Sequence, residues 1–105
     1  MNTSSSQSAA HCESPDRDTL ALSGALTFAN AAKVFEEAGR ALSEGTQTRL
    51  DLAGLARSDS AGLACVLALL AQASRAGRQL RVVQLPENLR ALAEVCDARG
   101  LLEAA

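Results

Sequence analysis

Ser58, Asp59 and Ser60 stand together at the entrance to a strongly apolar stretch, within ARSDSAGLACVLALLAQASRAG, residues 56–77. Residues of these types serve as nucleophiles, phosphate ligands, helix caps or partner contacts, and each use demands company. A serine nucleophile needs a base within hydrogen-bond reach, most often a histidine. The sole histidine is His11, far away near the N-terminus. The nucleophile elbow GxSxG is absent, since residues 58–62 read SDSAG. A phosphate cradle needs a glycine-rich loop and usually a lysine. Here only Gly62 lies near the turn, the sole lysine is Lys33, and neither GxGxxG nor GxxxxGK[ST] occurs. What survives is a cap and a contact. Asp and Ser are among the best N-caps, contributing about 1 kcal/mol where they cap, so Asp59 or Ser60 is expected to start a helix.

The other reactive side chains give little more. Cysteines stand at 12, 65 and 96, an odd number with no CxxC pair. A disulfide framework or zinc site is therefore not expected, and a reducing cytoplasm is the simpler setting. Cys65 and Cys96 sit in apolar helical patterns, where free cysteine behaves as a small buried hydrophobe. His11 and Cys12 are neighbours in sequence, and two adjacent ligands make no metal site. No catalytic residue, cofactor or metal is expected.

The elements that must position this stretch follow from periodicity. Residues 18–24, DTLALSG, alternate Leu20 and Leu22 with polar neighbours, which predicts a strand. Residues 28–43 place Phe28, Ala31, Ala32, Phe35, Ala38 and Leu42 at helical spacing, with Thr27 as N-cap and Gly45 as stop. Lys33, Glu36, Glu37 and Arg40 form its wet face, with Glu36 and Arg40 spaced as an i, i+4 pair. A second strand at 48–53 carries Leu50 and Leu52, and a loop at 54–58 leads to the second helix, Ala61 to about Ala76, ended by Gly77. A third strand at 79–84 and a third helix at 87–97 follow. The helix has Leu89, Leu92, Ala93 and Cys96 on its apolar side, with Gly100 as breaker and Leu101 and Leu102 in a final packed turn. Residues 1–17 are serine-rich and aperiodic and read as a flexible leader, with a possible edge strand at 8–14.

This order predicts an α/β fold, one domain over residues 18–105 with a small mixed β-sheet flanked by helices. A chain of 105 residues that is 48% hydrophobic can bury one core. Phe28 and Phe35 are its only aromatics, so Leu, Val and Ala must fill that core. The net charge is −2 and the arginines are scattered. A nucleic-acid interface would show a basic stripe and stacking aromatics, and neither is visible. The leader has no apolar signal core. The longest nearly apolar run, Ala61–Ala71, is about half of the roughly 20 residues that a membrane span needs.

The second helix is the unusual element. Leu63, Leu67 and Leu70 form one stripe, Ala64, Ala68 and Ala71 lie beside it, and Val66 and Leu69 lie away from it. Such a helix is either covered by its own protein on all sides or leaves an apolar patch that marks an interface. The small residues Ala61, Gly62 and Ala64 would let another backbone approach closely.

The segment LDLAGLARSDSAGLACVLAL resembles the STAS domain family: a strand, a short loop, then D-S-x-G-L opening an apolar helix. The likeness spans roughly residues 18–103. In anti-sigma-factor antagonists of that family the pattern is D-[ST]-S-G, and the second hydroxyl is phosphorylated by a partner kinase. Ala61 occupies that position here, which removes the phosphoester and its −1.5 to −2 charge. The D-[ST]-A-G-L form, with LALSGALTFANAAKVFEEAGRAL before it, is similar to the MlaB-type branch. That resemblance implies a cytoplasmic accessory subunit without activity of its own, held at the inner membrane by the ATPase of a phospholipid ABC transporter. The branch's functional hydroxyl maps onto Ser60, and its contact helix onto Ala61 to about Leu67. The expected partner-binding residues are Arg57, Ser58, Asp59, Ser60, Ala61, Gly62, Leu63, Ala64 and Leu67. The alternative is an anti-sigma-factor antagonist, which would need phosphorylation at Ser60 or Ser58.

Overall fold

The computed structural model describes residues 10–104. Strands β1 (Ala10–Asp16), β2 (Thr19–Leu26), β3 (Arg49–Ser58) and β4 (Arg81–Val83) form one sheet in the order β1-β2-β3-β4. The β1–β2 pair is antiparallel and the other two pairs are parallel, so the sheet is mixed. Helices α1 (Ala31–Glu44), α2 (Ser60–Arg75), α3 (Glu87–Val95) and α4 (Arg99–Ala104) alternate with and follow the parallel strands. The expected single α/β domain with a mixed sheet is what is found.

β1 lies inside the segment read as a leader and pairs with β2 at the sheet edge, over Ala10–Asp16 where a possible strand is expected at 8–14. Residues 1–9 lie outside the described residues. A tight turn joins β1 to β2, where the Asp18 amide donates to the Asp16 carboxylate at 2.9 Å.

Alternation along β2 and β3 buries Leu20, Leu22, Leu50 and Leu52, all at most 1% exposed. Ala21, Ser23, Asp51 and Ala53 fall on the other, more open face. Two extra residues in β3, one opposite Ala21–Ser23 and one opposite Gly24–Ala25, shift its alternation so that Leu55 rather than Gly54 is buried. Such irregularities break the simple alternation. They also explain why residues 54–58, expected as a loop, continue β3: this part pairs with β2 through Gly24–Leu55 and Leu26–Ser58. β4 is shorter than expected, three residues against Arg49–Asp51.

α1 begins three residues later than the sequence suggests, because Asn30 fastens the preceding loop. Its amide oxygen accepts from the Thr27 N–H at 3.0 Å, and its NH2 group donates to the Ala25 carbonyl at 2.8 Å. Thr27 is therefore not the cap. Phe28, expected on the apolar face of the helix, stands 82% exposed on that loop. Val34, Ala38, Gly39 and Leu42 make the buried side of α1. Glu36 and Arg40 are exposed and do not close to ion-pair distance; Arg90–Glu87, at 3.7 Å, does.

The far end of α1 is tied to the end of α2. The Arg78 guanidinium donates to the Leu42 carbonyl and, at 2.6 Å, to the Gln47 carbonyl. The first of these bonds falls on a carbonyl in the last turn of α1, where a helix leaves acceptors open, and the second on the loop that follows it. Arg78 is placed there by the turn after α2. Gly77, at φ +76°, donates to Ser74 at 2.9 Å, and the Arg78 amide donates to Ala73 at 2.9 Å. That pair of bonds is the Schellman arrangement, which favours glycine at the left-handed position.

α3 ends the same way with a different residue. Asp97, at φ +57°, takes the left-handed position, and the Ala98 amide reaches back to the Ala93 carbonyl at 2.7 Å. Asp tolerates this region better than most side chains. The helix therefore stops at Val95, and Gly100, expected as the breaker, lies within α4. Cys96 was expected inside; it falls beyond the helix and is exposed. Leu102 packs as expected, whereas Leu101 is 62% exposed.

Candidate protein-interaction site

Asp59 organises the mouth of α2. Its backbone is extended, at φ −116° and ψ −169°, and its carboxylate caps the helix by accepting from the Gly62 N–H at 3.0 Å. The second carboxylate oxygen accepts from the Phe28 N–H at 3.1 Å. One side chain thus joins the β2–α1 loop to the start of α2. These backbone donors, Gly62 first and Phe28 next, hold the Asp59 carboxyl below the usual carboxylate range. Ser60 does not cap; it is the first helical residue and is exposed.

Gly62 sets how close the helix comes to the sheet. A Cβ there would stand 2.3 Å from the Leu26 carbonyl oxygen, so the backbones of α2 and β2 meet where only glycine fits. The core side of α2 is Leu63, Cys65, Val66, Leu69, Leu70 and Ala73. This corrects the stripe read from the sequence. Leu67 lies off the core side and is half-buried, while Val66 and Leu69 are fully covered. Burial pushes the Cys65 thiol up to about 11, in keeping with an inert core residue.

The expected contact residues therefore divide. Ser60 and Ala64 are exposed, Ala61 and Leu67 half-buried, and Ala68 and Ala71 extend the same open side of α2. Arg57 is exposed at the end of β3. Gly62 and Leu63 are turned inward, and what they give the surface is its position. The Ser58 hydroxyl oxygen is buried without a hydrogen-bond partner, so it presents little to a visitor.

Phe28 was missed. Its amide is bound by Asp59 and its ring stands free beside the mouth of α2. The available signal was Asn30, a residue that favours loops and caps, four positions before Val34, the first buried residue of α1. Among the described residues, no group of three His, Cys, Asp or Glu side chains is placed to hold a metal ion. No helix among them is long and apolar enough to cross a membrane. The arrangement offers a firmly held, partly apolar surface of small side chains, one exposed aromatic and a serine hydroxyl.

The family model described as "Mlab, STAS domain" matches residues 10–103. The chain belongs to the STAS domain family. The match takes in β1. Two solved structures similar to this STAS domain carry the same fold. One is the anti-sigma factor antagonist SpoIIAA in its unphosphorylated form, with a TM-score of 0.68 and 16% identity, over 89% of this chain and 84% of that one. The other is the Bacillus cell fate determinant SpoIIAA in the phosphorylated form, with a TM-score of 0.63 and 17% identity, over 86% and 85% of the two chains. Comparison with curated proteins gives no match. STAS domains of these kinds are regulatory protein-interaction modules.

Proposed function

We propose that this STAS domain is a non-catalytic accessory subunit that binds the ATPase of a phospholipid ABC transporter through the mouth and open side of α2. The observation that carries the reading is Ala61 next to an exposed Ser60, at the position where anti-sigma-factor antagonists bear the phosphorylated hydroxyl. A site without that hydroxyl suits a constitutive contact better than a phosphate-controlled one. The MlaB description of the matching family model supports the same branch, and through it a place on the cytoplasmic side of the inner membrane. The contact surface in this reading is Ser60, Ala61, Ala64 and Leu67, with Phe28 and Arg57 at its margin.

Co-purification with an ABC-transporter ATPase from the same cells tests the proposal. Ser60→Arg sets a long charged side chain on the surface without touching the core, so the complex should be lost while the fold persists. A complex that survives Ser60→Arg and Ala64→Arg would refute this contact.

A second reading, an anti-sigma-factor antagonist, is favoured by the fold shared with SpoIIAA. It requires phosphorylation, and of the two candidates Ser60 is exposed whereas the Ser58 oxygen is buried. Intact mass measured after incubation with ATP and cellular kinases separates the readings. A gain of one phosphate on Ser60 supports the antagonist, and an unchanged mass supports the accessory subunit.

A further inference from the structure

β1, the β2–α1 loop and the first turns of α1 enclose a cleft of about 600 Å³. Clefts that hold small organic ligands measure roughly 300–1,000 Å³. Ala10, Ala25, Ala29 and Val34 line it with apolar surface, and His11, Lys33 and Arg57 bring basic groups to its wall. The Lys33 and Arg57 side chains have neither an ion-pair nor a hydrogen-bond partner among the described residues. Arg17, Arg40, Arg75 and Arg81 also lack side-chain partners among the described residues; what sets Lys33 and Arg57 apart is that both border this one cleft.

The remaining polar groups of the cleft also favour an acceptor ligand. The Thr27 hydroxyl accepts from the Ala29 N–H at 3.3 Å, which leaves its own hydrogen to donate. Asn30 has both ends of its amide committed to the loop. Glu37 is the acid on the wall. An arginine fork takes two oxygens of an oxyanion, and a lysine adds a point charge. We propose that this cleft binds a phosphate ester carried on a small apolar body, held by Lys33 and Arg57 with Thr27 as a further donor. Arg57 also stands at the margin of the proposed ATPase contact, and ligand binding to the isolated protein tests the cleft separately from that contact.

Titration calorimetry of the full chain at low salt tests it, with phenyl phosphate, inorganic phosphate and phenol as probes. Phenyl phosphate should bind saturably and more tightly than inorganic phosphate, and phenol should not bind. Lys33→Ala and Arg57→Ala should each weaken phenyl phosphate about ten-fold, the size expected for one charged hydrogen-bonding partner. Glu37→Gln should tighten it, because a like charge leaves the wall. All three side chains are exposed, and a melting curve for each variant verifies the fold. Sedimentation with vesicles containing phosphatidic acid distinguishes the source of the ester. Co-sedimentation that the double variant Lys33→Ala/Arg57→Ala abolishes assigns a lipid headgroup, and phenyl phosphate binding without co-sedimentation assigns a soluble ester. Absence of binding by both probes, or affinity unchanged in the double variant, would overturn the site.

Discussion

Replacing Gly62 by alanine adds one methyl group where α2 crosses β2. Its carbon would stand 2.3 Å from the Leu26 carbonyl oxygen, 3.2 Å from the carbonyl carbon and 3.3 Å from Leu26 Cγ. Non-bonded carbon contacts settle at about 3.5–4.0 Å, so the first turn of α2 must retreat by on the order of 1 Å. The obstacle is the backbone of an inner strand, which cannot swing aside. Overpacking of this kind costs about 1–3 kcal/mol. Alanine's better helix propensity offsets up to about 1 kcal/mol of that. The net loss is about 1–2 kcal/mol, which lowers Tm by roughly 5–15 °C in a domain of this size. Urea unfolding should show a lower midpoint with an unchanged slope. The retreat also pulls Asp59 from the Phe28 N–H, so partner binding should weaken beyond what stability explains. Gly39→Ala is the matched control. Its Cβ would meet the far end of the Gln72 side chain at 2.9 Å, and that group can rotate away. A Gly62→Ala protein as stable as the parent, or more so, would refute the close approach of α2 to β2.

Three further outcomes follow from the same geometry. Asp59→Asn should destabilise the protein at neutral pH. Because the folded-state pKa of Asp59 is lowered, its contribution is full above the ordinary value of about 3.9 and fades as pH falls below it. Melting curves of the two proteins should therefore converge in acid, and a constant gap would refute the charged cap. Arg78→Ala removes the donors on the Leu42 and Gln47 carbonyls and should cost about 1–3 kcal/mol in urea titration. Thiol labelling should be ordered by exposure: Cys96 first, then half-buried Cys12, whose thiol burial and the nearby Glu37 and Glu13 push up, and Cys65 only in denaturant. Rapid labelling of all three in the native state would contradict the core assignment.

Much of the architecture was legible because it rests on local periodicity. Leu20 and Leu22 announce β2, and Ala38 and Leu42 sit at the spacing of a helix face, whereas Val34 emerges as buried only in the structure. Asp59 before an apolar run announces a cap, since a short carboxylate can reach the free N–H groups just ahead of it. Where reading failed, a long-range or conformational term decided. Phe28 matched the helical spacing and was assigned to the core. The bonds of Asn30 to Ala25 and Thr27, and of Asp59 to Phe28, hold its loop outside the helix. Cys96 matched the apolar side of α3, but the left-handed turn at Asp97 ends the helix just before it.

The sequence by itself determined the order of the elements from β2 to α3, a core of aliphatic residues and a helix cap at Asp59 or Ser60. These are properties of residue type and of spacing within one element. Only the tertiary structure decided which side of α2 faces outward. Its apolar residues run nearly all the way round, so hydrophobic periodicity is weak there, and the choice falls to what the sheet can cover. Gly62 lets the helix settle against Leu26, which buries Val66 and Leu69 and leaves Ser60, Ala64 and Ala71 in the open. The juxtaposition of Phe28 with Asp59, and of Lys33 with Arg57, likewise exists only once separate strands and helices are brought together.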